Sequence, residues 1–265
     1  MFSTLNGSDF MKAGALVSVA LLFFSLGASA SVTETEEMTF EVNADARISL
    51  ENINGDIRIT GGSGSKVHLV AVKKAGNQEY LDKLKVTVDA DKDYIRIETR
   101  HPKSEGRWFN WSDGNDNSGS VSFVLEVPET VNLDSISTVN GDVEISAVLG
   151  KVKAETVNGS LEAMGLQGDV ELETVNGSVR AEFERVGAGQ RVSADAVNGK
   201  IVLVLPADAS ARVEAETVNG SIDADDFGLE PEKGFVGRDL SGEIGAGEAR
   251  ISLDTVNGSI EVSKK

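Results

Sequence analysis

Apolar positions along the chain alternate and then change phase at a recurring dipeptide. Val152, Ala154 and Thr156 are even-numbered, whereas Leu161 and Ala163, beyond Asn158-Gly159, are odd-numbered. Period-two alternation describes a strand with one buried face, and the change of parity places a turn at Asn158-Gly159. The hexapeptide Glu-Thr-Val-Asn-Gly-Ser that surrounds this turn is written again at 173–178. The same corner recurs at Asn140-Gly141, Asn158-Gly159, Asn176-Gly177, Asn198-Gly199, Asn219-Gly220 and Asn257-Gly258, with an outlying copy at Asn54-Gly55. From Asn140 onward the asparagines are spaced 18, 18, 22, 21 and 38 residues apart. The last gap is about two periods, and Ser241-Gly242-Glu243-Ile244 inside it reads as a worn copy of the repeat.

This pattern predicts an all-β protein. Asn and Gly both tolerate φ > 0, which a tight turn often needs, so the pairs are expected to be structural turns. Two architectures satisfy the alternation. In a parallel β-solenoid, similar to a β-helix, each Asn-Gly is a corner and successive rungs stack. In an antiparallel meander or barrel each is a hairpin tip. Acidic residues precede most corners, and both arrangements bring acids together. The hairpin sets Glu155 opposite Glu162, while the solenoid stacks Glu155, Glu173, Asp195, Glu216 and Asp254 in a column. The asparagine favours the solenoid, because stacked amides can bond along a column and a hairpin gives no reason to avoid Asp or Gly.

The inward positions are Val, Leu, Ile and Ala with few aromatics, which suits a narrow core; each buried Val or Leu contributes roughly 1.5–3 kcal/mol. One rung alone cannot offset its chain entropy, so neighbours are required. Upstream, Arg47-Ile48-Ser49-Leu50, Asp56-Ile57-Arg58-Ile59 and residues 67–72, 84–88, 94–97 and 121–127 also alternate. Residues 78–84 are the one candidate for a short helix. The chain therefore divides into a leader at 1–30, a β-rich part at 31–128 that starts or caps the solenoid, and the repeat solenoid at 129–265.

The leader stands apart in composition. Residues 13–27 are almost wholly apolar, Lys12 precedes them, and Ala28-Ser29-Ala30 follows as a small-residue cleavage site. This is the pattern of a secretory signal peptide, too short for a stable membrane span. Met11 is an alternative start, since Asp9 is unusual in such a leader. Cleavage near Ala30 removes one Asp and one Lys and leaves the net charge at −18. The mature chain is expected to be exported to the periplasm, the extracellular space or the cell surface, without a transmembrane anchor. There is no cysteine, which excludes disulfides, thiolate metal sites and lipid attachment through cysteine. The negative charge argues against nucleic acid as a partner and favours solubility.

Candidate chemistry is sparse. Repeated Thr, Asn and Ser without a base make no nucleophilic triad. His68 lies in an alternating strand and reads as structural, and His101 opens a loop and reads as solvated. Two histidines are too little for a zinc site or a histidine triad, so no catalytic residue, cofactor or metal is assigned. Two segments break the repeat. The loop from His101 to Gly119 holds Trp108, Phe109 and Trp111, aromatics suited either to binding a partner or to capping the stack. Asp113, Asn115 and Asn117 in it begin like a calcium loop but lack the later ligands. Residues 225–248 are rich in glycine and acids and read as a worn rung plus a loop. The acid column is a solvated face or, alternatively, a set of carboxylates bridged by divalent cations.

The run of Thr-Val-Asn-Gly-[Ser/Asp]-[Ile/Val/Leu]-Glu steps resembles the bacterial putative adhesin family. The likeness extends over 234–247 and over the closing segment 251–262, is densest after Val127, and departs at Ala196, Lys200 and the 101–119 loop. It implies an exported β-solenoid of unknown function and, by analogy, a binding or structural module of the cell envelope whose partner is an envelope protein or a glycan. The alternatives are a polysaccharide-active β-helix enzyme with a carboxylate pair in a groove, and a periplasmic partner in envelope signalling. Ligand identity and oligomeric state are not readable from the chain.

Overall fold

The computed structural model describes residues 31–102, 119–233 and 237–265, together with the backbone of 20–24. The chain winds in rungs. In each repeat one strand runs into an Asn-Gly corner and the next strand leaves it on an opposite layer, so two long sheets form and face each other across a single core.

One sheet stacks, in spatial order, Arg47–Glu51, Asn132–Asn140, Val152–Asn158, Val170–Asn176, Arg191–Asn198, Ala249–Asn257 and Ala211–Asn219. The other stacks their continuations Ile57–Gly62, Val143–Ser146, Leu161–Leu166, Val179–Phe183, Ile201–Leu205, Ile260–Lys264 and Ile222–Asp223. Neighbours pair in parallel and in register, Thr156 beside Thr174 and Asn158 beside Asn176. The fold is the parallel solenoid, and the meander is set aside. Inward side chains such as Ile48, Leu50, Leu133, Leu172, Phe183, Leu203 and Leu253 are fully buried.

Three features differ from the sequence expectation. First, the rungs do not stack in chain order. Ala249–Asn257 lies between Arg191–Asn198 and Ala211–Asn219, pairing in parallel with both. Second, Ser241-Gly242-Glu243-Ile244 is not a worn rung. It belongs to Arg238–Ile244, which runs antiparallel to Ala211–Asn219 and covers the edge of that sheet. A stack with an open edge exposes unpaired backbone groups, and an antiparallel strand ends the template. Third, φ > 0 does not explain the corners. No corner asparagine has positive φ, and of the seven corner glycines only Gly55, Gly141 and Gly177 do, at 120°, 159° and 159°, the last two close to extended.

The upstream region supplies both rung and cap. Tyr94–Arg100 and Gly119–Pro128 pair in parallel with Arg47–Glu51 and Ile57–Gly62. Beyond them, Lys85–Asp91, Lys66–Ala75 and Val32–Glu41 run antiparallel to their neighbours. Inside this cap Lys73 is buried and bridges Glu34 at 3.0 Å and Glu36 at 2.5 Å, so its charge is paired where solvent is scarce. A short helix spans Gln78–Lys83 and is capped by Asn77, whose side chain accepts from the Tyr80 amide at 2.8 Å. The backbone of Ala20–Phe24, within the expected leader, pairs with Val32–Glu41.

Candidate functional site

The corner is built from three columns. The first is an amide ladder in which Nδ2 of each asparagine donates to Oδ1 of its neighbour. It runs Asn140 to Asn54 at 2.7 Å, Asn158 to Asn140 and Asn176 to Asn158 at 2.9 Å each, and Asn198 to Asn176 at 3.0 Å. It continues from Asn257 to Asn198 at 2.8 Å and from Asn219 to Asn257 at 2.9 Å. All seven corner asparagines therefore belong to one chain of hydrogen bonds.

The second column is glycine. A Cβ on Gly159 would lie 1.9 Å from the carbonyl oxygen of Gly141, on Gly177 1.9 Å from that of Gly159, and on Gly199 1.7 Å from that of Gly177. Gly55, Gly141, Gly258 and Gly220 meet neighbouring backbone oxygens at 2.3, 2.3, 1.9 and 1.8 Å. What all seven glycines share is that adjacent rungs touch at the corner; a positive φ well away from extended backbone adds to this only at Gly55, at 120°. The third column caps the same oxygens. The buried hydroxyls of Thr156, Thr174, Thr255 and Thr217 donate to the carbonyls of Gly141, Gly159, Gly199 and Gly258 at 2.8–3.1 Å, and Thr138 donates to that of Gly55 at 3.3 Å. Ala196 occupies this column without a hydroxyl, so the Gly177 carbonyl lacks the bond.

Outside the corner lies a groove of about 700 Å³ that crosses the rungs. Strand alternation that buries Ala154 and Thr156 turns Glu155 and Val157 outward. Stacking then makes two parallel stripes. One is aliphatic: Ile53, Val139, Val157, Val175, Val197, Val256 and Val218, each 39–44% exposed. At about 4.8 Å per rung it extends for about 29 Å. The other is acidic: Glu155, Glu173, Asp195, Asp254 and Glu216 follow one another without an intervening cation, with Asp239 at the end. The next column outward is charge-paired instead, with Lys153 on Glu171 at 2.6 Å.

The electrostatics follow from this contrast. Partial burial, reinforced by the charges of Asp195 and Glu171, pushes the Glu173 carboxyl above the usual range against the pull of Lys153. Asp195 and Asp254 are raised by burial and by neighbouring acids, although the Ser193 and Ser252 hydroxyls donate to them at 2.9 and 3.3 Å. Glu171 is held below the usual range by its bond from Lys153.

Among the described residues no group of three His, Asp or Glu side chains is placed to hold a metal ion. His68 bonds Thr39 at 3.2 Å in a strand pair. His101 is not solvated: it is half-buried against Tyr80, whose hydroxyl lies 3.1 Å from its Nδ1, and burial lowers its pKa. Trp108, Phe109, Trp111, Asp113, Asn115 and Asn117 lie outside the described residues. The aliphatic stripe was missed in the sequence, although its signal was present: Val157 shares the outward parity of Lys153 and Glu155, and a hydrophobe recurs there in every repeat.

No curated protein matches the chain. Among solved structures it is similar to a putative cell adhesion protein from Clostridium sporogenes, at 12% identity and a TM-score of 0.45, over 87% of this chain and 100% of that one. It is also similar to a putative adhesin from Bacteroides fragilis, at 15% identity and a TM-score of 0.41, over 86% and 96%. A putative lipid binding protein from Parabacteroides distasonis matches at 11% identity and a TM-score of 0.30, over 87% and 95%. Residues 109–263, more than half of the chain and nearly all of the stacked corners, match the profile of one family, and the protein belongs to the Toastrack DUF4097 family.

Proposed function

We propose that the protein is an exported, non-enzymatic binding module of the cell envelope, and that it binds along the groove of acids and exposed aliphatics. The observation that carries this reading is the stripe of seven outward Ile and Val side chains. A contiguous apolar strip of this length on a soluble surface marks a contact face rather than scattered surface hydrophobes. The acid column beside it selects the partner's sign. A cationic, extended segment of an envelope protein would set aliphatic side chains on the valines and Lys or Arg against the carboxylates, and the net charge of −18 would steer it in. The adhesin names of structurally similar proteins agree with a binding role without identifying a ligand.

The test is an array carrying cationic, neutral and anionic peptides alongside glycans. The mature chain should retain cationic peptides, more weakly as salt rises. The triple variant Val157→Ser, Val175→Ser, Val197→Ser should stay folded, at a somewhat lower Tm, and bind at least about tenfold more weakly, since each valine is 40–41% exposed and offers that apolar area to the partner. Retention of glycans alone would replace the peptide reading with carbohydrate binding, and full binding by the triple variant would remove the groove from the account. Release of new sugar ends from a glycan would overturn the non-enzymatic assignment.

A further inference from the structure

The seven corners share a chemical liability, and the stack protects them unequally. In an Asn-Gly pair the glycine backbone nitrogen can attack the side-chain carbonyl carbon of the asparagine. A carbon–nitrogen bond closes a five-membered succinimide, the amide nitrogen leaves as ammonia, and the glycine N–H proton passes to solvent base. Water then opens either ring carbonyl and gives aspartate or isoaspartate. Glycine hinders the attack least, and the attack needs a free glycine nitrogen and a side chain able to rotate onto it.

Six of the corners withhold both. The amides of Gly55, Gly141, Gly159, Gly177, Gly199 and Gly258 donate to the carbonyls of Asn140, Asn158, Asn176, Asn198, Asn257 and Asn219, at 2.8–3.2 Å. In the same corners the asparagine Oδ1 accepts from one neighbouring asparagine while Nδ2 donates to the other or, at Asn54, to the Gly119 carbonyl at 3.3 Å. The seventh corner ends the stack. Asn219 donates to Asn257 at 2.9 Å, but among the described residues no further rung supplies a donor to its Oδ1 or an acceptor to the Gly220 amide. Gly220 is exposed, whereas the other six corner glycines are half-buried.

We infer that Asn219-Gly220 is a selective site of spontaneous deamidation, the point at which this otherwise protected ladder ages. Local sequence cannot produce the selectivity, because Asn158, Asn176 and Asn219 lie in identical hexapeptides, Glu-Thr-Val-Asn-Gly-Ser at 155–160, 173–178 and 216–221. The chain thus contains its own controls. Conversion replaces the amide that donates to Asn257 with a carboxylate and adds a negative charge beside Val218 at the end of the groove.

The experiment incubates the folded chain in warm, mildly alkaline buffer and maps peptides by mass spectrometry, scoring aspartate and isoaspartate at each corner. Asn219 should convert at least about tenfold faster than Asn158 or Asn176, whose corners hold three inter-rung hydrogen bonds through the side-chain amide and the glycine N–H, against one at Asn219. In urea, where the rungs separate, the three rates should converge. Equal rates in the folded chain would overturn the inference. So would a tenfold lead of Asn219 that persists in urea, because the ladder would then not be its cause.

Discussion

At the scale of the residue, each corner position answers a contact with the next rung. Gly177 approaches the Gly159 carbonyl too closely for any side chain, Thr174 donates to that same carbonyl, and Asn176 links its amide to both neighbours. Gly177→Ala should therefore destabilise by about 3 kcal/mol in urea denaturation, because the methyl group wedges two rungs apart. Gly187→Ala, where a Cβ meets nothing within 4 Å, should be near neutral. Ala196→Thr restores the missing hydroxyl toward the Gly177 carbonyl and should stabilise by about 1 kcal/mol. Equal losses for the two glycine variants would contradict close packing at the corner. The repeated letters made the corner legible in the sequence but not its cause. Positive φ and close approach both demand glycine, and only the stacking distance separates them.

At the scale of the element, a strand repeated in parallel turns every outward residue into a column, so one acidic position becomes a line of like charges. For Glu173, Asp195 and Asp254 the folded-state pKa lies above the unfolded value. Such carboxyls favour folding when protonated, and that contribution is lost as pH rises through their folded pKa. Glu171, Asp169 and Glu144, held low by cationic partners, have the opposite sign and lose their contribution as pH falls. A comparison of variant with wild type isolates the column. Asp195→Asn, Asp254→Asn keeps acceptors for Ser193 and Ser252 while removing two charges. It should melt at a higher temperature than wild type near neutral pH, with the gap closing as the buffer is acidified toward the unfolded carboxyl range. A gap that widens on acidification would reverse the assigned sign. This column was readable from the spacing of the repeats, because parity and period place Glu155, Glu173 and Asp195 on one line. The order of its last two members was not, because nothing local in the sequence tells Asp254 to precede Glu216.

At the scale of the whole molecule, the fold is a parallel stack whose end is closed by rearranged chain. The final repeat is threaded between two earlier ones, and an antiparallel strand then covers the displaced rung. Similar repeats make this possible: Thr255, Asn257 and the following Gly258 meet the equivalent corner positions of either neighbour, so the register is kept whichever order is used. The same likeness hides the order in the sequence, where the 38-residue gap reads as two periods with a worn rung inside it. Cysteine pairing tests the arrangement most directly, since the natural chain has none. Val197 and Val256 lie on adjacent rungs with Cα atoms about 4.8 Å apart, within the roughly 4.4–6.8 Å that a disulfide spans, whereas Val197 and Val218 are two rungs and about 9.6 Å apart. Mild oxidation should close Val197→Cys, Val256→Cys within one chain and leave Val197→Cys, Val218→Cys open. Closure of the second pair and not the first would mean that the rungs stack in chain order, and closure of neither would contradict the parallel stack itself.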